Sequence, residues 1–200
     1  MSKAELKLKE EMLPGAINSY VQYLSVSIAK DYSGNSIVLI PILKGAVPFE
    51  SDLRRSLIRN DISTHVEYAC ASSYEKGERK DLSIDISNVK NIDKNDHVII
   101  LDTICDTGET LEAVHNAVFD KFNFKSLKCC VLFAKKETVK PIIMKQLSYG
   151  YVGKELSGNK FYVGYGLDYN GELREMPSLL SVINYIGFDK VAERITKREK

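Results

Sequence analysis

Val98-Ile99-Ile100-Leu101-Asp102-Thr103-Ile104-Cys105-Asp106-Thr107-Gly108-Glu109-Thr110 is the stretch on which the reading of this chain turns. Four bulky apolar residues without alternation, bounded by Asp96-His97 and by Asp102, predict a short central strand covered on both faces, as parallel strands of α/β proteins are. Leu111, Val114, Ala117 and Val118 then recur at helical spacing. Asp106 to Thr110 supplies what a phosphate-holding turn needs. Gly108 is small and flexible, Thr107 and Thr110 offer hydroxyls, and the unpaired N–H groups at a helix start favour an anion. Asp102 and Asp106 are expected just beyond the strand's carboxyl end, where open α/β sheets bind ligands. There they can serve as acceptors for sugar hydroxyls, for Mg²⁺ or for a proton. On spacing alone, an acidic turn whose Asp and Thr side chains merely cap the helix fits equally well.

Composition narrows the class. The 200 residues suit a single domain, 1–200, able to bury a core without disulfides or metal. With 28 basic and 27 acidic residues the formal charge is +1, so no field gathers nucleic acid or an anionic membrane. The basic tail Arg194 to Lys200 reads as a solvated helix end. Cys70, Cys105, Cys129 and Cys130 show no zinc spacing or disulfide framework and read as buried free thiols in a reducing compartment. The start is charged, and no run approaches the length of a membrane span, so a cytoplasmic protein is expected.

Moving outward, Ile17, Tyr20, Val21, Leu24, Ile28 and Ala29 predict a packing helix over 15–32. Ile37 to Leu43 reads as a buried strand, although Pro41 cannot donate to a ladder and needs a bulge or an unpaired side. Lys44-Gly45 follows, then a helix ending near Asn60. One cation and one glycine at the same sheet edge suit a second anion site, but a surface lysine before a helix is the better reading of an isolated dipeptide. Thr64 to Ser72 is predicted as a strand, and the polar stretch from Ser73 to Leu82 as a loop, either a lid or a plain hairpin connection. His65, His97 and His115 share no spacing that suggests a metal site or a relay.

Beyond the central helix, Leu127 to Ala134 is another strand, and the right-handed crossover rule makes it parallel to the first, with Lys135 at the ligand edge. Phe161-Tyr162-Val163-Gly164-Tyr165-Gly166-Leu167-Asp168-Tyr169-Asn170-Gly171-Glu172-Leu173-Arg174 reads as a strand and an Asx/Gly turn. A short helix is predicted over 183–195.

These blocks resemble, in order, those of the type I phosphoribosyltransferases, and within them the 6-oxopurine branch. The pattern from Val98 to Thr110 is similar to that family's motif for phosphoribosyl pyrophosphate (PRPP). The resemblance implies that Asp106, Thr107, Gly108, Glu109 and Thr110 wrap the 5′-phosphate, while Asp102 and Thr103 stand at the ribose. Thr103 replaces an acidic residue, which leaves the sugar clamp one carboxylate short, so an aspartate there is expected to tighten Mg²⁺-PRPP binding. Leu43-Lys44-Gly45 resembles the pyrophosphate loop, whose Lys44–Gly45 peptide can be cis, and Arg174 would share that ligand. Ser73-Tyr74 corresponds to a lid that closes over a reactive cationic sugar.

For the base, the resemblance implies Lys135 donating to purine O6, Phe161 stacking on the ring, the backbone of Tyr162 at its edge, and Asp168 alongside. Asp168 and Asp102 would take the Mg²⁺ cofactor, and Asp106 is the catalytic residue, taking or sharing the purine N7 proton. The implied fold is α/β: a mainly parallel central sheet flanked by helices, with a core over about 36–160. A small hood subdomain would come from the N-terminal segment and about 161–185. The implied reaction joins hypoxanthine or guanine to PRPP in a homodimer or homotetramer. Two alternatives share the fold: a non-catalytic sensor of PRPP or nucleotide, and a xanthine-preferring enzyme.

Overall fold

A computed structural model describes residues 6–75, 78–139, 143, 145, 150–156 and 160–183, with the backbone alone for 73–75 and 78–81. The helix expected over 183–195 lies almost wholly outside these residues. Strands and helices follow in the order β1 (Leu8–Met12), α1 (Pro14–Tyr32), β2 (Ile37–Leu43), α2 (Val47–Arg59), β3 (Thr64–Val66), β4 (Ala69–Glu75), β5 (Glu78–Asp85), β6 (His97–Cys105), α3 (Glu109–Lys121), β7 (Ser126–Lys135), β8 (Tyr151–Leu156), β9 (Tyr162–Val163) and β10 (Leu179–Val182).

The main sheet has seven strands in the order β5-β4-β2-β6-β7-β8, with β3 also beside β2. All its pairings are parallel except β4 with β5. Alternate residues of β6 serve opposite faces, which is why its sequence shows no polar alternation. Ile99 and Leu101 join Ile17, Val21, Leu24, Leu53 and Leu57 of α1 and α2 on one side. On the other, Val98 and Ile100 join Leu111, Val114 and Val118 of α3.

Pro41 sits in mid-sheet, and the backbone explains how. The carbonyl of Leu39 accepts from Glu67 N–H at 3.0 Å, so odd-numbered residues of β2 face β3. Pro41 faces the same way, where β3 has ended at Val66 and β4 begins only at Ala69. The missing donor coincides with a break in the neighbouring strand.

Between Ser73 and Leu82 the described residues are mostly strand, in the hairpin arrangement that is one of the two readings of this stretch, with 76 and 77 outside the described residues. Ser73 and Tyr74 lie in β4, and β4 pairs with β5 as an antiparallel hairpin through Tyr74↔Arg79 and Glu75↔Glu78. Its sequence lacks apolar alternation, so the strand signal is carried by backbone pairing alone. Three further strands escape the periodicity reading. β1 and β10 pair antiparallel and β10 pairs with β9, forming a separate three-stranded sheet at the chain's two ends. β8 closes the main sheet, with Gly153 packed so tightly that a Cβ would come 2.7 Å from the Leu132 carbonyl oxygen.

Candidate functional site

The carboxyl ends of β2, β6 and β7 open on one edge, since all three run parallel. β6 is longer than its apolar run suggests. Its ladder with β7 continues through Asp102↔Val131, Ile104↔Phe133 and Cys105↔Ala134. Asp102 therefore lies inside the strand, not beyond it, and only Asp106 is past the end. One Asp102 carboxylate oxygen accepts from the Thr103 N–H at 2.7 Å. Burial outweighs the hydrogen bonds from the Thr103 and Ile104 backbone and pushes the Asp102 carboxyl up to about 7.

The turn that follows ends in Gly108 at φ +88°, which serves as the N-cap of α3 with no side-chain cap. A β-carbon on Gly108 would meet the Ile143 side chain at 2.5 Å, so both conformation and space call for glycine. Thr107 Oγ1 has only a 3.4 Å contact from Glu109 N–H. The plain capping reading is thus not what forms, and the N-terminus of α3 is built by a left-handed glycine instead.

Asp106 is half exposed and holds Lys135, whose Nζ donates to Asp106 Oδ2 at 2.6 Å while the lysine side chain is only 6% accessible. The same ammonium lies 5.7 Å from the centre of the Tyr162 ring. Thr138, which sequence reasoning passed over, brings its hydroxyl within 2.7 Å of the other Asp106 oxygen and 2.9 Å of the Asp106 carbonyl. No motif signals Thr138; the turn after β7 delivers it, closed by Thr138 N–H and Val139 N–H on the Lys135 carbonyl.

At the end of β2, Lys44 is exposed and Gly45 half-buried. The cis peptide is Leu43–Lys44, one bond earlier than the resemblance implies. Thr103 is completely buried, its hydroxyl donating to the Gly45 carbonyl at 3.0 Å. The segment after β9 reaches the same place. A Cβ on Gly166, at φ +93°, would fall 2.1 Å from the Gly45 carbonyl oxygen.

Arg174 Nη1 donates to the Gly166 carbonyl at 2.7 Å, and Arg174 Nη2 pairs with Asp168 at 2.7 Å. Asp168 also accepts from Gly171 N–H at 2.7 Å. Phe161 packs edge-on against Tyr169. Lys44, Gly45, Thr103, Asp168 and Arg174 are thus brought into one neighbourhood, and Asp106, Lys135 and Tyr162 into another. Ser73 and Tyr74 are placed in the hairpin of β4.

The three histidines behave as structural or surface groups: His65 Nε2 lies 2.8 Å from Glu67, and His97 Nδ1 2.7 Å from Ser126 Oγ. All four cysteines are free. Burial pushes the Cys105 and Cys129 thiols up to about 12 and raises Cys130 further. No helix among the described residues is long and apolar enough to cross a membrane.

Comparison with known proteins converges. The model of the phosphoribosyl transferase domain matches residues 15–170. A hypoxanthine-guanine phosphoribosyltransferase of Aquifex aeolicus is 36% identical over 184 residues, covering 90% of this chain and 95% of that protein. One from Streptococcus pneumoniae is 32% identical over 80% of this chain and 85% of its own. Among solved structures, a hypoxanthine-guanine phosphoribosyltransferase of Bacillus anthracis superposes with a TM-score of 0.74 at 30% identity, covering 90% of this chain and all of that one. The hypoxanthine phosphoribosyl transferase of Trypanosoma cruzi gives 0.76 at 28% identity over 98% of this chain.

Proposed function

The chain belongs to the phosphoribosyl transferase domain family, and from that premise we propose that it transfers the 5-phosphoribosyl group of PRPP to N9 of hypoxanthine or guanine. The products are the nucleoside monophosphate and pyrophosphate, the chemistry of cytoplasmic purine salvage.

The observation that carries this reading is the contact between Lys135 and Asp106 at 2.6 Å. It sets a cationic donor beside a carboxylate acceptor at the sheet edge. A 6-oxopurine with its proton on N7 offers the complement on one side of the ring, an O6 acceptor next to an N7–H donor. A 6-aminopurine would set its amino group against Lys135, and opposed buried donors are rejected strongly.

In the reaction, the bond from ribose C1′ to pyrophosphate oxygen breaks and the C1′–N9 bond forms, while the N7 proton passes to the Asp106 carboxylate. Thr138 and Lys135 hold that carboxylate in place. The N-terminus of α3 with Thr107, Gly108, Glu109 and Thr110 receives the 5′-phosphate. Asp102 holds the ribose, and Lys44, Gly45 and Arg174 receive the leaving pyrophosphate, where the planar guanidinium fork suits two phosphate oxygens. Phe161 and Tyr162 cover the base.

Carboxylates Asp102 and Asp168 fit Mg²⁺, which is ordinarily held by one or two such groups and substrate phosphates rather than an all-protein cage. When bound, Mg²⁺ supplies charge neutralisation on the pyrophosphate.

The test is pyrophosphate release from PRPP with hypoxanthine, guanine, xanthine and adenine in turn. Turnover with the first two and none with adenine is expected. Turnover with xanthine alone would make this a xanthine enzyme, and nucleotide binding without turnover on any base would make it a sensor.

A further inference from the structure

Thr103 stands where the family's motif carries an acidic residue, yet its side chain is engaged with the backbone of the turn after β2. It is wholly buried in β6, and its Oγ1 donates to the Gly45 carbonyl 3.0 Å away. That contact spans 58 residues and exists because β2 and β6 pair in parallel as far as Pro41↔Leu101, which carries the turn after β2 across the end of β6.

The bond has a particular effect on the turn. The peptide joining Gly45 to Ala46 is held at both ends. Its N–H donates to the Ile42 carbonyl at 3.1 Å, and its C=O accepts from Thr103. The peptide plane is thereby prevented from flipping. Behind it the Gly166 backbone closes on the same carbonyl, leaving no room for even a methyl group. Arg174 in turn braces Gly166 through its carbonyl.

We infer that Thr103 is a positioning residue for the leaving group: its hydroxyl locks the Gly45–Ala46 peptide so that the preceding Lys44–Gly45 unit is set for pyrophosphate, while Asp102 alone serves the sugar. The inference rests on phosphoribosyl transfer being the activity, and it deepens that reading by giving the departed acidic position a different task. It also reverses the expectation for aspartate at this position. A carboxylate in place of the hydroxyl would set acceptor against acceptor in a site with no access to water.

The experiment measures KM for PRPP and for pyrophosphate in the reverse reaction, together with KM for hypoxanthine, in wild type and in Thr103→Val, Thr103→Ser and Thr103→Asp. Loss of one buried hydrogen bond predicts a rise of about tenfold in both phosphate-ligand constants for the valine variant, with hypoxanthine KM unchanged. Serine restores most of the loss, and aspartate binds PRPP more weakly than wild type. If valine behaves as wild type, if serine falls with valine, or if aspartate tightens PRPP, the positioning role is overturned. Should the valine protein fail to fold, Thr103→Cys, of similar size and a weak donor, makes the same comparison against serine. A wild-type enzyme without turnover would remove the activity itself, an outcome distinct from any ordering among the variants.

Discussion

The turn from Asp106 to Thr110 and the junction at Gly45 stand at the ends of neighbouring strands, and in our reading each takes one phosphate end of the same substrate. They are built in opposite ways. The turn is five consecutive residues, three between β6 and α3 and two in the first turn of α3, shaped by one left-handed glycine. The junction is assembled from β2, β6 and the segment after β9, with Thr103, Gly45 and Gly166 converging on one carbonyl. A contiguous site can be altered one residue at a time. A convergent one transmits each change to three parts of the chain.

The largest effect should come from Asp106→Asn, which tests whether the turn does chemistry as well as binding. Turnover is expected to fall by about 10²–10⁴-fold, the usual range for a lost general base, with PRPP binding by calorimetry little changed. A fall in PRPP affinity with turnover intact would make the residue part of the phosphate grip. The glycines set the two regions directly against each other. Gly166→Ala puts a Cβ against backbone that cannot yield and should cost about 3–4 kcal/mol in denaturant unfolding, since left-handed strain and overpacking add. Gly108→Ala shares the unfavourable φ, but its clash is with the Ile143 side chain, from Cδ1 at 2.5 Å to Cβ at 3.1 Å, and not with backbone. A cost of about 2 kcal/mol is expected for it. Equal costs would erase the distinction between the two constructions.

The smallest effect on activity concerns Asp102, between the two regions. Its carboxyl is raised to about 7, above an unfolded value of about 4. The folded state therefore binds more protons than the unfolded state between those values, and the stability this supplies declines as pH rises through that window. Asp102→Asn should flatten the decline, seen as a gain in Tm over wild type that is larger at pH 8 than at pH 5. PRPP affinity of the wild type should rise several-fold from pH 6 to pH 8 as the carboxylate ionises, and an affinity flat with pH would remove Asp102 from the ribose contact.

What could be read beforehand follows the same division. The strand–turn–helix of 98–121 is written in consecutive residues, so burial pattern, glycine and hydroxyls all announce it. The crossover rule alone puts Lys135 at the edge. Thr103 could not be understood that way, because its partner is fixed by the pairing of β2 with β6 and not by any neighbour in sequence. Thr138 was invisible for a similar reason: only the turn after β7 carries it to Asp106. β1 carries three exposed positions in five and draws its order from β10. Such a strand leaves no periodic trace.

The cysteines give the molecule a practical property. Three of the four are sealed in β6 and β7, and only Cys70 has partial solvent contact, at the root of the β4–β5 hairpin. A maleimide fluorophore added to the unmodified wild-type protein should therefore attach at one place, and its emission would report on that hairpin during substrate titration without an engineered attachment point.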